Sequence, residues 1–133
     1  MKDNSISIKT NKKEELIDIT SKIKKLIKKE NLKNGLINIF VKHTTAGITI
    51  NENADPDVKD DILKALGIFD RKNYKHAEGN SPAHVKSSLL GSSVTVPVKK
   101  GKMQLGTWQG IMFAEFDGPR NREVVTEIIS YPK

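Results

Sequence analysis

Three histidines, His43, His76 and His84, are the side chains of this sequence best suited to chemistry near neutral pH. Imidazole is the commonest neutral metal ligand and also an acid and base that titrates close to pH 7, so three of them offer either a facial metal site or a proton-transfer pair. All three stand beside small polar residues, at expected strand ends or in loops, and none is expected on an apolar helical face. Their spacings, 33 and 8 residues, fit no short metal-binding motif. The chain has no cysteine, so a thiolate nucleophile, a disulfide and a cysteine-ligated metal are excluded, and any metal must rest on histidine and carboxylate.

Two further patches carry polar groups in unusual density. HTTAGITINENAD, residues 43–55, passes from one strand into the next with Thr44, Asn51, Glu52 and Asp55 in close succession. With Ile48 and Ile50 facing a core, strand alternation turns Thr49 and Asn51 the other way. Asp55 is accounted for as a helix cap, Glu52 less readily. GTWQG and EFDGPR supply the only tryptophan, Trp108, with Gln109 beside it, and then Glu115, Asp117 and Arg120. Glu115 and Asp117 share a strand face by period 2, so an acidic pair with Arg120 nearby is suited to a metal or a phosphate. Two of the three arginines, Arg120 and Arg122, fall in this one stretch, the third being Arg71. Arginine is the side chain that grips phosphate or carboxylate with two parallel bonds.

The elements that must hold these residues follow from periodicity and turn signals. Residues 5–10 and 15–19 alternate as half-buried strands around an NKKE turn, and Thr20 is the expected N-cap of a helix that ends at Asn34-Gly35. A single helix from about Lys12 competes, because Leu16, Ile19, Ile23 and Leu26 also keep a 3.6-residue period. Strands are expected at 36–42 and 48–50. Asp55-Pro56 then opens a helix with the stripe Val58, Ile62, Leu66 and Phe69. A polar loop over 70–82 precedes a short helix at 82–90. Strands at 93–98, 103–108, 111–116 and 122–129 complete the chain. The pattern predicts an α+β fold, an antiparallel β-sandwich of about eight strands with two or three helices.

The chain of 133 residues is of single-domain length, long enough for one sizeable core. Its formal charge of +7 is local: residues 1–33 hold 10 lysines against 5 acids, and residues 34–133 hold 13 basic against 11 acidic side chains. The excess comes from Lys22, Lys24, Lys25, Lys28, Lys29 and Lys33 on one amphipathic helix, with no aromatic interleaved for base stacking. That is the composition of a solvated face, and nucleic acid is not the expected partner. No apolar stretch approaches the roughly 20 residues needed to cross a bilayer, and the N-terminus lacks the apolar core of a signal peptide, so no membrane partner and a cytoplasmic location are expected.

Taken in order, HTTAGITINEN, HAEGNSPAH followed by LLGSSVTVPV, and LGTWQGIMFAEFDGPR resemble the YjbQ-like family from about Gly35 to Ile129. The resemblance implies one domain over residues 1–133, a compact α+β sandwich assembled as a homotrimer, and a thiamine-phosphate synthase-like transferase that joins a pyrimidine pyrophosphate to a thiazole phosphate. By resemblance His43, Thr44, Asn51 and Glu52 carry over from the first motif, His76, Asn80 and His84 from the second, and Trp108, Gln109, Asp117 and Arg120 from the third. We assign catalysis to His43, Glu52 and His84, and substrate binding to Thr44, Asn51, Asn80, Trp108, Gln109, Asp117 and Arg120. A divalent metal, magnesium with the pyrophosphate or zinc on His43, His76 and His84, is the expected cofactor, with no organic cofactor. The partners are then a small phosphorylated metabolite and the chain itself. Two alternatives stay open: a metal-dependent hydrolase or lyase on the three histidines, and a non-catalytic trimeric module that binds a phosphorylated metabolite. In one respect the chain departs from the family, which often carries Asp or a longer insertion just after the equivalent of His76, where this chain has Ala77-Glu78-Gly79.

Overall fold

The computed structural model describes residues 4–70 and 73–132, so Arg71 lies outside the described residues. In chain order the elements are β1 (Ser5–Lys9), β2 (Glu15–Asp18), α1 (Thr20–Lys29), β3 (Gly35–Val41), β4 (Ala46–Glu52), α2 (Pro56–Leu66) with a 3-10 turn at Gly67–Phe69, α3 (Ser81–Leu90), β5 (Ser93–Lys99), β6 (Lys102–Met103), β7 (Gln109–Glu115) and β8 (Asn121–Ser130). The strands form two antiparallel sheets, one of five in the order β1-β8-β3-β5-β6 and one of three in the order β2-β7-β4. The expected α+β class, with eight strands and three helices, is the fold observed.

Alternation decides which side chains fill the space between the sheets. Ile37, Ile39 and Val41 of β3, Val96 and Val98 of β5 and Val124 of β8 meet Ile48 of β4 and Ile111 and Phe113 of β7. Ile23 and Ile27 of α1 close the same core with Ile19 and Leu32. Full burial of each such aliphatic side chain contributes about 1.5–3 kcal/mol. β7 is buried on both faces, because Met112 and Ala114 point the other way into a second core with Leu16, Ala83 and Phe116, covered by Ile62, Leu63 and Leu66 of α2 and Leu90 of α3. That double burial is why residues 111–116 read as an almost unbroken apolar run.

The two expected strands form as β1 and β2, and the competing single helix from Lys12 does not, because Leu16 and Ile17 are taken into β2 alongside Ala114 and Phe113 of β7. Three expectations are corrected. Thr20 is the first residue of α1 rather than its cap: its Oγ1 donates to Asp18 at 2.6 Å and accepts the N–H of Ile111 at 2.9 Å, so it ties the helix to β7. α1 ends at Lys29, not at Asn34, because Asn31 turns left-handed at φ 53° and lets Leu32 N–H bond back to Ile27 O and bury its side chain. The expected strand 103–108 stops at Met103. There the Gly106 N–H bonds to Gln109 Oε1 and the Gln109 N–H to Gly106 O, and the resulting turn leaves Trp108 exposed.

Candidate functional site

The start of β4, the end of β7, the start of β8 and the N-terminal half of α3 meet at one end of the small sheet, around an open cleft of about 430 Å3. The cleft brings His43, Thr44, His76, Asn80, His84, Asp117 and Arg120 together from segments far apart in sequence. Lys42, Thr45, Glu78 and Arg122 also line it. His84 falls within the helix expected at 82–90. It sits on α3, whose first turn carries Pro82, and its ring packs edge-on against that of His76 with centroids 5.4 Å apart.

The tautomer of His43 is fixed by its surroundings. Its Nε2 accepts the backbone N–H of Glu123 at 3.1 Å, so a neutral ring carries its proton on Nδ1. Burial, followed by the nearby Arg122 charge, holds its pKa below the ordinary 6.5 and keeps the ring neutral at physiological pH. His43 is therefore built as a hydrogen-bond donor. Use of Nε2 as a metal ligand would strand the Glu123 N–H. Among the described residues no group of three or more His, Asp or Glu side chains is placed to hold a metal ion. As arranged, the three-histidine zinc set does not fit.

Beneath the cleft the end of the sandwich is tied by charges. Glu115 continues the inward face of Ile111 and Phe113, is completely buried, and binds Arg122 of β8 through both carboxylate oxygens. Thr10 Oγ1 donates to the same carboxylate at 2.7 Å and the Asp117 N–H at 3.0 Å, while Arg122 also donates to Thr45 Oγ1 at 2.8 Å. Burial opposes ionisation of Glu115, but the bonds from Arg122, Asp117 and Thr10 outweigh it and hold the carboxyl below its ordinary range. The expected Glu115–Asp117 acidic pair is thus divided between two arginines and is not free for a metal. Asp117 takes Arg120, whose Nη2 lies 3.0 Å from Oδ2 and whose Nε donates to Asp117 O at 2.7 Å. Asn80 Nδ2 donates to that same Oδ2 at 3.1 Å, and these two bonds outweigh burial to keep Asp117 ionised below the usual carboxylate range.

That contact also settles the orientation of the Asn80 amide, because an ionised carboxylate can only accept. Asn80 Oδ1 is then the free end, and it is buried with no hydrogen-bond partner. Arg120 is about half exposed and uses two of its five N–H groups internally, leaving the rest to the cleft. Glu78 stands 3.9 Å from His76 Nε2, so the short loop still supplies an acidic neighbour for that ring.

The remaining predicted residues are elsewhere in the chain. Asn51, Glu52 and Gln109 lie where β4 ends and β7 begins, with Glu52 paired to Gln109. The cleft is at the other end of both strands, about 20 Å away at 3.3–3.4 Å per residue. Glu52 has a structural task there: its Oε2 accepts the N–H groups of Ala54 and Asp55 ahead of α2, whose cap is Asp55. Asn51 Oδ1 accepts the Glu52 N–H, Gln109 closes the turn from Gly106, and Trp108 is exposed beside them, its carbonyl accepting the Asn53 N–H at 2.8 Å. Sequence reasoning placed Arg122 beside Arg120 without assigning it to the site. Its alternation with inward-facing Val124 and Thr126 is the signal, since an arginine on a core face needs a buried acid.

The family description UPF0047 protein YjbQ-like matches residues 4–131. The UPF0047 protein MJ1081 of Methanocaldococcus jannaschii is 60% identical over 124 residues, covering 92% of this chain and 90% of that protein. The UPF0047 protein YugU of Bacillus subtilis is 49% identical over 121 residues, covering 89% and 92%. Among solved structures, an uncharacterized conserved protein of the YjbQ/UPF0047 family from Clostridium acetobutylicum superposes with a TM-score of 0.92 at 53% identity, covering 94% of this chain and 98% of that one. A hypothetical protein of Aeropyrum pernix also reaches 0.92 at 33% identity, covering 98% and 100%.

Proposed function

Since this chain belongs to the YjbQ-like UPF0047 family, we propose that it is a cytoplasmic, thiamine-phosphate synthase-like transferase whose reaction takes place in the histidine–arginine cleft. The observation that carries the reading is the division of hydrogen-bonding roles there. His43 Nδ1–H, the free N–H groups of Arg120 and the rings of His76 and His84 can donate to an anion, and Asn80 Oδ1 is a lone buried acceptor without a donor. A pyrimidine pyrophosphate bearing an amino group needs both: donors for its phosphates and one acceptor for its amine.

The chemistry is a displacement. The ring nitrogen of the thiazole phosphate forms a bond to the methylene carbon of the pyrimidine, the carbon–oxygen bond breaks, and pyrophosphate departs with the electron pair. Magnesium accompanies the pyrophosphate as part of the substrate. Arg120 and the histidine donors offset charge on the departing oxygens, and donors already fixed in place need no rearrangement as that charge grows. His43 is a positioned donor, His84 on α3 the group that can protonate the leaving group, and Asn80 the anchor of the pyrimidine. Glu52, at the other end of β4, has no part in this step within one chain. The assembled form in this proposal is the homotrimer, for which light scattering should return three times the 14.8 kDa chain mass.

The test is a coupling assay with hydroxymethylpyrimidine pyrophosphate, thiazole phosphate and magnesium on the unmodified protein, His84→Ala and Arg120→Gln. Thiamine phosphate should form, with kcat/KM lower by about 100-fold or more in each variant, the usual scale for a positioned acid or charge donor. Pyrophosphate binding without turnover by any of the three would replace the transferase by a module that binds a phosphorylated metabolite. Absence of both would end the reading.

A further inference from the structure

Away from that cleft, the C-terminal half of α1, the loop that follows it and the β5–β6 turn enclose a second concavity of about 790 Å3. Its rim carries five lysines, Lys24, Lys28, Lys33, Lys100 and Lys102, and no acidic side chain lines it. Its floor is apolar, made by Ile27, Leu32 and Met103. None of the five has an ion-pair partner among the described residues. The loops are built to hold this shape. Lys100 turns left-handed at φ 53°, its N–H donates to Asn34 Oδ1, and the Gly101 N–H bonds to Lys33 O at 2.9 Å, so residues 66 and 68 positions apart in sequence are fastened rim to rim.

Lysines on a solvated helix face spread so as to reduce mutual repulsion. Here the turn adds Lys100 and Lys102 to the side where α1 and its loop already present Lys24, Lys28 and Lys33, while Lys22, Lys25 and Lys29 do not line the concavity. Five like charges around one apolar floor raise the local potential, and that is favourable for a multiply charged anion. The volume falls in the range of small-molecule sites. The apolar floor has no use for a bare inorganic anion, and the absence of an aromatic side chain removes the stacking platform of a single-strand binder. We infer that this concavity is a binding site for a small organic polyphosphate, its phosphates held by the lysines and its apolar portion on Ile27, Leu32 and Met103. The site is separate from the transferase cleft and does not depend on that reading.

The experiment is calorimetric titration of the full chain with ATP, inorganic triphosphate and a twelve-residue RNA, each at low and at physiological salt. It is run on the unmodified protein, on Lys28→Gln/Lys33→Gln/Lys100→Gln, and on Arg120→Gln. Among the described residues the side chains of Lys28, Lys33 and Lys100 make no ion pair, and thermal melting checks that the triple variant is folded. Expected are saturable binding of ATP, at least tenfold tighter than that of triphosphate at physiological salt, a loss of tenfold or more in the triple variant, and no change in Arg120→Gln. Affinity should fall steeply with salt. ATP binding that the triple variant keeps, or that Arg120→Gln loses instead, would overturn the site. Equal affinities for ATP and triphosphate would overturn the role of the floor. Binding of RNA with none of ATP would make the patch a nucleic-acid surface and overturn the proposal.

Discussion

At the scale of single residues, Glu115 and Arg122 decide whether the cleft has a floor. Both are buried, and each satisfies the other with Thr10 and Thr45 completing their bonds. Arg122→Met should therefore cost about 3–5 kcal/mol, because it leaves a buried carboxylate without its partner. The pH dependence follows from the depressed pKa of Glu115. Its contribution is fully present above its ordinary value near 4.5 and is lost as pH falls through the lower folded value. Urea denaturation should show wild-type stability declining below about pH 4.5 with a component that Glu115→Gln lacks. Parallel acid profiles for the two proteins would contradict this. His43 gives a second test at the same scale. Nitrogen-15 spectra of the imidazoles should show the Nδ1–H form for this ring and a titration midpoint below 6.5. An Nε2–H form would remove the donor on which the cleft's chemistry rests. Much of this was legible in the sequence, since the motifs named His43, Asn80, His84, Asp117 and Arg120, and all converge. Arg122 was hidden because its value depends on a cross-sheet partner, and Asn80 Oδ1 because an unsatisfied atom exists only once the fold has formed.

At the scale of elements, α3 sets one wall of the cleft, since it carries His84 and its first turn adjoins Asn80. It is held by Lys86, which is 1% exposed and reaches Glu14 at 2.6 Å and Asp70 at 2.9 Å, and by Gly47, where an added Cβ would stand 2.9 Å from Gly91 O. Glu14 and Asp70 keep side-chain exposures of 29% and 56%, so they can rehydrate when the lysine is removed. Lys86→Met, which retains most of the buried stem, should then cost no more than about 1–2 kcal/mol, whereas Lys86→Ala adds a cavity and should cost about 2–4 kcal/mol. Hydrogen exchange in α3 should quicken in both, and comparable losses from the two substitutions would mean that charge rather than packing holds the helix. Sequence periodicity found this helix, both β4 and β7, and the Asp55-Pro56 start of α2. It failed over residues 103–108, because alternation of Met103, Leu105 and Thr107 looks like a strand until Gln109 folds back on Gly106.

At the scale of the whole molecule, the three motif patches that read as one site occupy two ends of one small sheet. His84 belongs to the cleft, and Glu52, at the other end of β4, holds the loop that leads into α2. Linear sequence could not separate them, because adjacency along HTTAGITINEN says nothing of a seven-residue strand running between its first and last polar groups. Rigid β-structure about 20 Å long with no shared hydrogen-bond partner transmits little energy between its ends. The destabilisations caused by His84→Ala and Glu52→Gln should accordingly add to within about 0.5 kcal/mol in a double-mutant cycle. Urea denaturation at several protein concentrations measures it. Additivity at all concentrations assigns the cleft alone to the chemistry and leaves Asn51, Glu52, Trp108 and Gln109 to the architecture of the far end. Coupling that grows with concentration and vanishes on dilution would mean that one copy's far end lies against a neighbour's cleft, and the proposed homotrimer would then be part of the site itself.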